Sequence, residues 1–462
     1  MLKARSKDML TGPLFTGIVG YTVPIILTSL LQLMFNAADL MVVGRFCGSV
    51  SVAAVGATGA VTNLIVNLFI GLSVGAGVAV AHGLGSRDWH EVHRTVHTAL
   101  PVALVSGAVL TVVGILCAGT FLSWMGTPEK VLPLSTLYMQ VYFGGIIFSM
   151  VYNFSASILR AAGDTRSPLI YLTFAGVLNV ALNVVFVTVF HMNVAGVALA
   201  TVLSQALSAV LVVRALMRRE DACRLELRKM QFYSRQLRKM VRIGLPAGVQ
   251  GSLFSISNVM VQSSVNSFGD VFMSGNAAAG NIEGFLYVML NAFHQTAVNF
   301  VGQNAGARRY DRVKKTLWIC MGCVMVAGLV AGNLVYGFGR QLLEIYITDS
   351  AQAVQDGMTR LAFMCVPYFL FGLMDVSTGA LRGLGSSVPP MIICVMGVCG
   401  LRLTWIYTVF QLPQYHTPEC LFFSYPLSWL ITFSVQMIAY VFVFRKRLRE
   451  DACLQPSEMP HE

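Results

Sequence analysis

The sequence predicts an all-α polytopic membrane protein: twelve transmembrane helices in two six-helix lobes, related by a pseudo-two-fold axis along the membrane normal. Three observations predict it. Hydrophobic residues make up 56% of the 462 residues and charged residues 11%, whereas soluble domains carry about 25% charged residues. The apolar residues gather into segments of bilayer-spanning length. The second half of the chain repeats the first.

A membrane-crossing helix needs about 20 predominantly apolar residues. Twelve segments meet that length, at 18–43, 53–81, 96–118, 132–157, 168–190, 194–216, 242–268, 273–302, 316–338, 354–380, 388–410 and 421–444. Gly and Pro recur inside them, which membrane helices tolerate. The basic amino terminus followed by an apolar run has the outline of a signal peptide. The run is too long for one and reappears in the second half, so it reads as the first span.

Charge placement gives the orientation. Of the 32 Lys and Arg, 27 fall on the side that carries the amino terminus. Arg45, Lys130, Arg340 and Arg360 fall on the other, and Arg402 lies inside a span. The positive-inside rule then places both termini in the cytoplasm of a multi-pass plasma (inner) membrane protein. Topology and anionic lipid account for the net charge of +11, so no nucleic-acid partner is called for. The expected organisation is an amino-terminal lobe over 1–216, a basic cytoplasmic linker over 217–241, a carboxy-terminal lobe over 242–447 and a cytoplasmic tail over 448–462. The linker reads either as an amphipathic helix on the membrane surface or as a solvated connection.

The repeat is visible in four places. GSRDWHEVHRT (Gly85–Thr95) matches GARRYDRVKKT (Gly306–Thr316), an offset of 221. LRAAGDTRSP (Leu159–Pro168) matches LRGLGSSVPP (Leu381–Pro390), Pro24 matches Pro246 and Asn36 matches Asn258, all at an offset of 222. Six spans per copy is an even number, so both copies enter the membrane in the same direction. That predicts parallel repeats with a substrate path between them. Pro24 removes a helix hydrogen bond and permits a bend in the first span.

The first span also carries Asp39. An acid at the centre of a membrane helix costs roughly 2.5–3.5 kcal/mol on insertion scales and usually faces a cavity or a pathway. The plain alternative is a helix-end carboxylate reaching headgroup water. At the offset of 222 the second copy has Val261 in its place, so the scaffold does not need the charge. Glu283, Asp375 and Arg402 are further charged residues read as lying inside spans. By residue count Glu283 and Arg402 lie at similar depth, which predicts that they pair, because an unpaired charge there is costly. Asp375 lies nearer the inner third.

Other motifs carry no chemistry. Gly71-Leu72-Ser73-Val74-Gly75 matches GxSxG, but mid-span rather than on a strand-to-helix turn, and small residues at that spacing pack helices closely. No GxxxxGK[ST] is present, so no nucleotide-driven pump is indicated. Cys320 and Cys323 lie within a span without a second pair, as small hydrophobes do. His294 reads as a satisfied core histidine. Phe35, Phe69, Phe154, Phe254, Phe285 and Tyr287 are candidates to line a substrate pocket.

Several of these stretches together resemble the MATE (multidrug and toxic compound extrusion) family. They are P24…N36AAD39xxxVG44, GxRxWxxVxRT after the second span, LRAAGDTRSP after the fourth, HMNVAGVALATVLSQ entering the sixth and FVGQNAGARRYDRV after the eighth. The resemblance implies a secondary active antiporter, not an enzyme, that exports amphipathic or cationic drugs and toxic compounds against H⁺ or Na⁺. It implies no cofactor beyond the coupling ion, alternating access, and a monomer in the lipid bilayer. It implies a cation-coupling site of Asp39, Asn179, Asn183 and Thr201, with Asn153 as a further polar candidate and Pro24 as a hinge. Asn179 and Asn183 are four apart and share a helix face. One branch of the family has an acid in the seventh helix; Leu245 to Phe268 contains none, so a carboxy-lobe site of that kind is not expected. The runner-up is a flippase of the same superfamily for a lipid-linked precursor, which would favour several basic residues in the cavity.

Overall fold

The computed structural model describes residues 8–348 and 350–453, which contain helices and no strand. A bilayer offers the backbone no water, so helices satisfy their own polar groups. The helices of the first half are α1 (Leu14–Phe46), α2 (Ser49–Gly85), α3 (Trp89–Trp124), α4 (Leu132–Gly144), α5 (Ile146–Ala161), α6 (Arg166–Thr188) and α7 (Asn193–Met217). Those of the second are α8 (Ser234–Asn266), α9 (Asp270–Gly306), α10 (Tyr310–Gly337), α11 (Gly339–Tyr346), α12 (Ala351–Cys365), α13 (Tyr368–Gly383), α14 (Val388–Cys394), α15 (Leu401–Tyr407) and α16 (Pro418–Cys453). A π-helical turn, Val395–Gly400, joins α14 to α15.

Each of the twelve expected spans coincides with one helix or one broken helix. Eight are long and apolar enough to cross a bilayer, and the bent pairs α4–α5 (48°) and α12–α13 (43°) raise the count to ten. The remaining two, α8 and α9, are 33 and 37 residues long. Polar residues such as Gln250, Asn258, Glu283 and Asn291 dilute them below the same threshold.

The repeat extends to backbone detail. The two breaks fall at Gly145 and Pro367, in register with the sequence repeat. Pro367 lacks the N–H that would continue its helix. Left-handed residues recur in pairs at offsets of 221–222: Gly48 and Gly269, Arg87 and Arg308, Gly163 and Gly385. Close packing recurs as well. A Cβ on Gly107 would lie 2.6 Å from Ile147 Cα, and one on Gly328 would lie 2.8 Å from Phe369 Cα. In each half the helix before the break (α3, α10) therefore packs on both parts of the broken span.

The chain forms two compact units. One comprises Asp8, Val19–Val80 and Asp88–Met260; the other comprises Met9–Ile18, Ala81–Arg87 and the described residues from Val261 onward. Within the first, Gly71 and Gly75 meet α8: a Cβ on either would lie 2.3 Å or less from the backbone of Gly248 or Met240. The GxSxG match is thus a helix-packing surface.

The central linker divides: its last part, from Ser234, is the beginning of α8, and the part before it is neither a surface helix nor a solvated strand of chain. Cys223 and Leu225 are buried, and the segment is bonded to the start of α3. Glu226 N–H donates to His97 Nε2 (3.0 Å), Gln231 N–H to the His97 carbonyl (3.3 Å) and Tyr233 N–H to Thr98 Oγ1 (3.3 Å). Lys239 bridges to Glu91 at 2.7 Å. His97 Nδ1 lies 2.7 Å from the His93 carbonyl, so both ring nitrogens are engaged. Outside the spans, burial raises the Asp221 carboxyl, but the bond and charge of Arg219 outweigh it and hold the group below its ordinary value.

Candidate functional site

Asp39 sits inside α1, about two turns before the helix ends at Phe46, and is 8% exposed. One turn earlier, the Phe35 ring lies against Gly176 of α6, where a Cβ would come within 1.8 Å of it. Only glycine at 176 permits this approach, and it brings the Asn179–Asn183 face of α6 up to Asp39. α7 packs along α6 and supplies Thr201.

The four residues expected to share a site form a closed ring. Asn183 Nδ2 donates to Asp39 Oδ1 at 2.5 Å and to Asn179 Oδ1 at 3.3 Å. Asn179 Nδ2 donates to Thr201 Oγ1 at 3.4 Å, and Thr201 Oγ1 lies 3.4 Å from Asp39 Oδ2. Thr201 Oγ1 also contacts the Val197 carbonyl at 3.0 Å, and with one proton it serves only one of these acceptors at a time. Asn179 and Asn183 are buried, and Asn183 Oδ1 has no hydrogen-bond partner among the described residues. A buried acceptor left unpaired costs about 1–3 kcal/mol. The ring thus contains one charge, an all-oxygen set of acceptors and one open valence. Val43, Val187 and Val197 form an apolar core beside it, with Tyr138 packed on that core.

Asn153 is not drawn into the ring: its Nδ2 donates to the Ser149 carbonyl (2.8 Å), one turn back on its own helix. Pro24 lies inside α1, which continues through it. Its carbonyl accepts from Thr28 Oγ1 at 2.7 Å, and Tyr21 Oη, just before it, donates to the Arg160 carbonyl at 2.7 Å.

The expected Glu283–Arg402 pair is corrected. Glu283 Oε2 pairs with Arg360 Nη2 at 2.7 Å, and its Oε1 accepts from Tyr368 Oη at 3.2 Å. Arg360 Nη1 donates to Asn276 Oδ1 at 2.6 Å. The reason is where α12 begins. Ser350 caps it by accepting from Ala353 N–H, so Arg360 lies more than two turns inside the helix rather than at the outer surface. The start of the tenth segment marked this Arg, since the Ser350 cap signal precedes it by ten residues.

Asp375 and His294 belong together. His294 Nδ1 lies 3.0 Å from Asp375 Oδ1, Asn291 Nδ2 donates to Asp375 Oδ2 at 3.1 Å, and Arg382 Nη1 is 3.3 Å from His294 Nε2. His294 is therefore a satisfied core residue, and Asn291 and Arg382 are polar partners that residue counting missed. Of the aromatic candidates, Phe154 is fully buried in packing, while Phe285 and Tyr287 are exposed.

The MatE family model matches residues 24–185 and again 246–408. The chain belongs to the MatE family. The two matched stretches begin at the paired prolines, Pro24 and Pro246, and so follow the repeat. The chain is 25% identical over 436 residues to the probable multidrug resistance protein YoeA of Bacillus subtilis (strain 168), covering 92% of this chain and 93% of that protein. It is 26% identical over 403 residues to the probable multidrug resistance protein YpnP of the same organism, covering 86% and 89%. Its fold is that of a solved multidrug resistance MATE family transporter of the MOP superfamily in an outward-facing conformation (TM-score 0.89, 20% identity, 97% of this chain and 100% of that one). This MatE chain is thus a multi-pass, all-helical membrane protein of the transporter fold.

Proposed function

We propose that the chain is a secondary active exporter of amphipathic or cationic toxic compounds, coupled by antiport to H⁺ or Na⁺ through alternating access, with Asp39 as the coupling residue. It works as a monomer in the plasma membrane, without a resident cofactor, a nucleic-acid partner or an enzymatic step. The closed ring of Asp39, Asn183, Asn179 and Thr201 supports this reading. As a carboxylate, Asp39 accepts from Asn183 Nδ2. Once protonated it has an O–H to place, and Asn183 Oδ1 is the buried acceptor ready to take it when the amide turns over. Alternatively, oxygens from Asp39, Asn179, Asn183 and Thr201 suit a hard cation such as Na⁺. Either ion rearranges the bonds that α1 shares with α6 and α7, and α1 can bend at Pro24. An ion shifts such an equilibrium only by its differential affinity for the two states.

The flippase reading keeps one observation behind it: Arg360, Arg382 and Arg402 all sit on helices of the second unit. Proteoliposomes separate the readings. Wild type should export a cationic dye under an imposed H⁺ or Na⁺ gradient, and Asp39→Asn should abolish that coupling. Unchanged gradient-driven export in Asp39→Asn defeats the mechanism, and export that ignores both gradients defeats antiport.

A further inference from the structure

Arg402 is left over once Glu283 is paired. It is 4% exposed, and no carboxylate forms an ion pair with it among the described residues. Its one hydrogen bond there runs from Nε to Ser428 Oγ (3.0 Å). The guanidinium lies 3.9 Å from the Tyr425 ring centroid and 5.8 Å from that of Trp429. Both oxygens of Glu283 are taken by Arg360 and Tyr368, so the group of Glu283, Arg360 and Arg402 carries one surplus positive charge. A buried charge without a counter-charge is costly, and neither aromatic faces nor a neutral hydroxyl cancel it.

Two further observations bear on this residue. The π-helical turn Val395–Gly400 ends two residues before it. Such turns are rare and concentrate at functional sites. The corresponding stretch of the first half, at the offset of 222, is regular helix within α6. An aromatic row also leads toward Arg402. Tyr287, 46% exposed, packs on Phe371 (5.6 Å); Phe371 packs on Trp429 (5.7 Å), and Trp429 packs on Tyr425 (6.0 Å). The row has an exposed ring at one end and a guanidinium at the other.

We propose that Arg402, Tyr425 and Trp429 form a subsite for the acidic group of an aromatic amphiphile, a carboxylate or sulfonate that pairs with the guanidinium while its rings lie along the row from Tyr287. The proposal rests on the exporter reading and narrows its cargo: compounds with an aromatic body and an anionic or zwitterionic head are preferred over purely cationic ones. Arginine suits the task, because its planar fork binds carboxylates bidentately and stacks on aromatic faces.

The test is equilibrium binding to the purified full chain in phosphatidylcholine nanodiscs, with two dyes that share a xanthene core: anionic carboxyfluorescein and cationic rhodamine 6G. Arg402→Gln should weaken carboxyfluorescein at least tenfold, Arg402→Lys, which keeps the charge but loses the planar fork, should weaken it less than Arg402→Gln does, and rhodamine 6G should be unaffected by either. On wild type alone, naphthalene sulfonate should displace carboxyfluorescein and naphthylmethylamine should not, which keeps the test decisive if a variant fails to fold. Equal loss of both dyes, no change in Arg402→Gln, or equal displacement by both competitors overturns the proposal. Displacement of carboxyfluorescein by phosphatidylglycerol in the discs assigns the charge to a lipid headgroup and also overturns it. No gradient is applied, so failure here leaves the antiport reading standing, and failure of gradient-driven export leaves this one testable.

Discussion

Asn183 donates through one nitrogen to both Asp39 and Asn179, which makes it the residue that closes the ring, while its own oxygen is left over. Replacing it with Ala removes the amide from a buried carboxylate, a loss of about 1–3 kcal/mol that corresponds to roughly 5- to 150-fold in an equilibrium constant. Asn183→Ala should therefore reduce ion-coupled export by at least fivefold in gradient-driven proteoliposome assays. Asn153→Ala should stay close to wild type, because that side chain is satisfied within its own helix. Equal effects of the two substitutions would detach Asn183 from coupling. Residue identity alone ranked both as polar groups in spans; only the direction of each amide separates them.

At the scale of elements, helix contacts are set by small residues at fixed places. Gly176 lets the Phe35 ring of α1 lie against α6, and this contact fixes how far Asp39 stands from Asn183. Any added methyl there overpacks the interface, with a typical cost of about 1–3 kcal/mol. Gly176→Ala should lower the thermal unfolding temperature in detergent and weaken coupling although every ring residue is intact. Trimming the partner, as in Phe35→Leu with Gly176→Ala, should recover part of the stability; no recovery would mean that the close approach is not the cause. The linker offers a second lesson at this scale. Its basic residues at helical spacing read as a surface helix or a free tether. The backbone instead donates to His97 and Thr98, and α8 starts only at Ser234, because those buried acceptors on α3 provide bonds that a tether lacks.

At the scale of the whole molecule, one offset recurs in the sequence motifs, in the helix breaks, in the left-handed turns and in the two family matches. An even number of spans per copy, together with the Lys and Arg distribution, predicts that both termini are cytoplasmic. Fusion of a reporter to the carboxy terminus checks this: green fluorescent protein should be bright there and alkaline phosphatase inactive. The reverse pattern would overturn the orientation and, with it, the direction assigned to export.

By itself, the sequence determined the class, the twelve segments, the repeat and the four residues of the ring. Apolar run length, charge asymmetry and periodic recurrence are properties of the linear chain, and the ring was legible through its family resemblance. Tertiary structure decided the partners. Each residue advances a helix by a fixed rise, so counting residues gives depth, and it placed Glu283 and Arg402 at one level. It does not give the rotation of each helix about its axis, and that rotation turned Glu283 toward Arg360; nor does it show that the Asn153 amide is spent on Ser149 of its own helix. It also left Arg402 among aromatic rings, which is the feature that points to an acidic ligand.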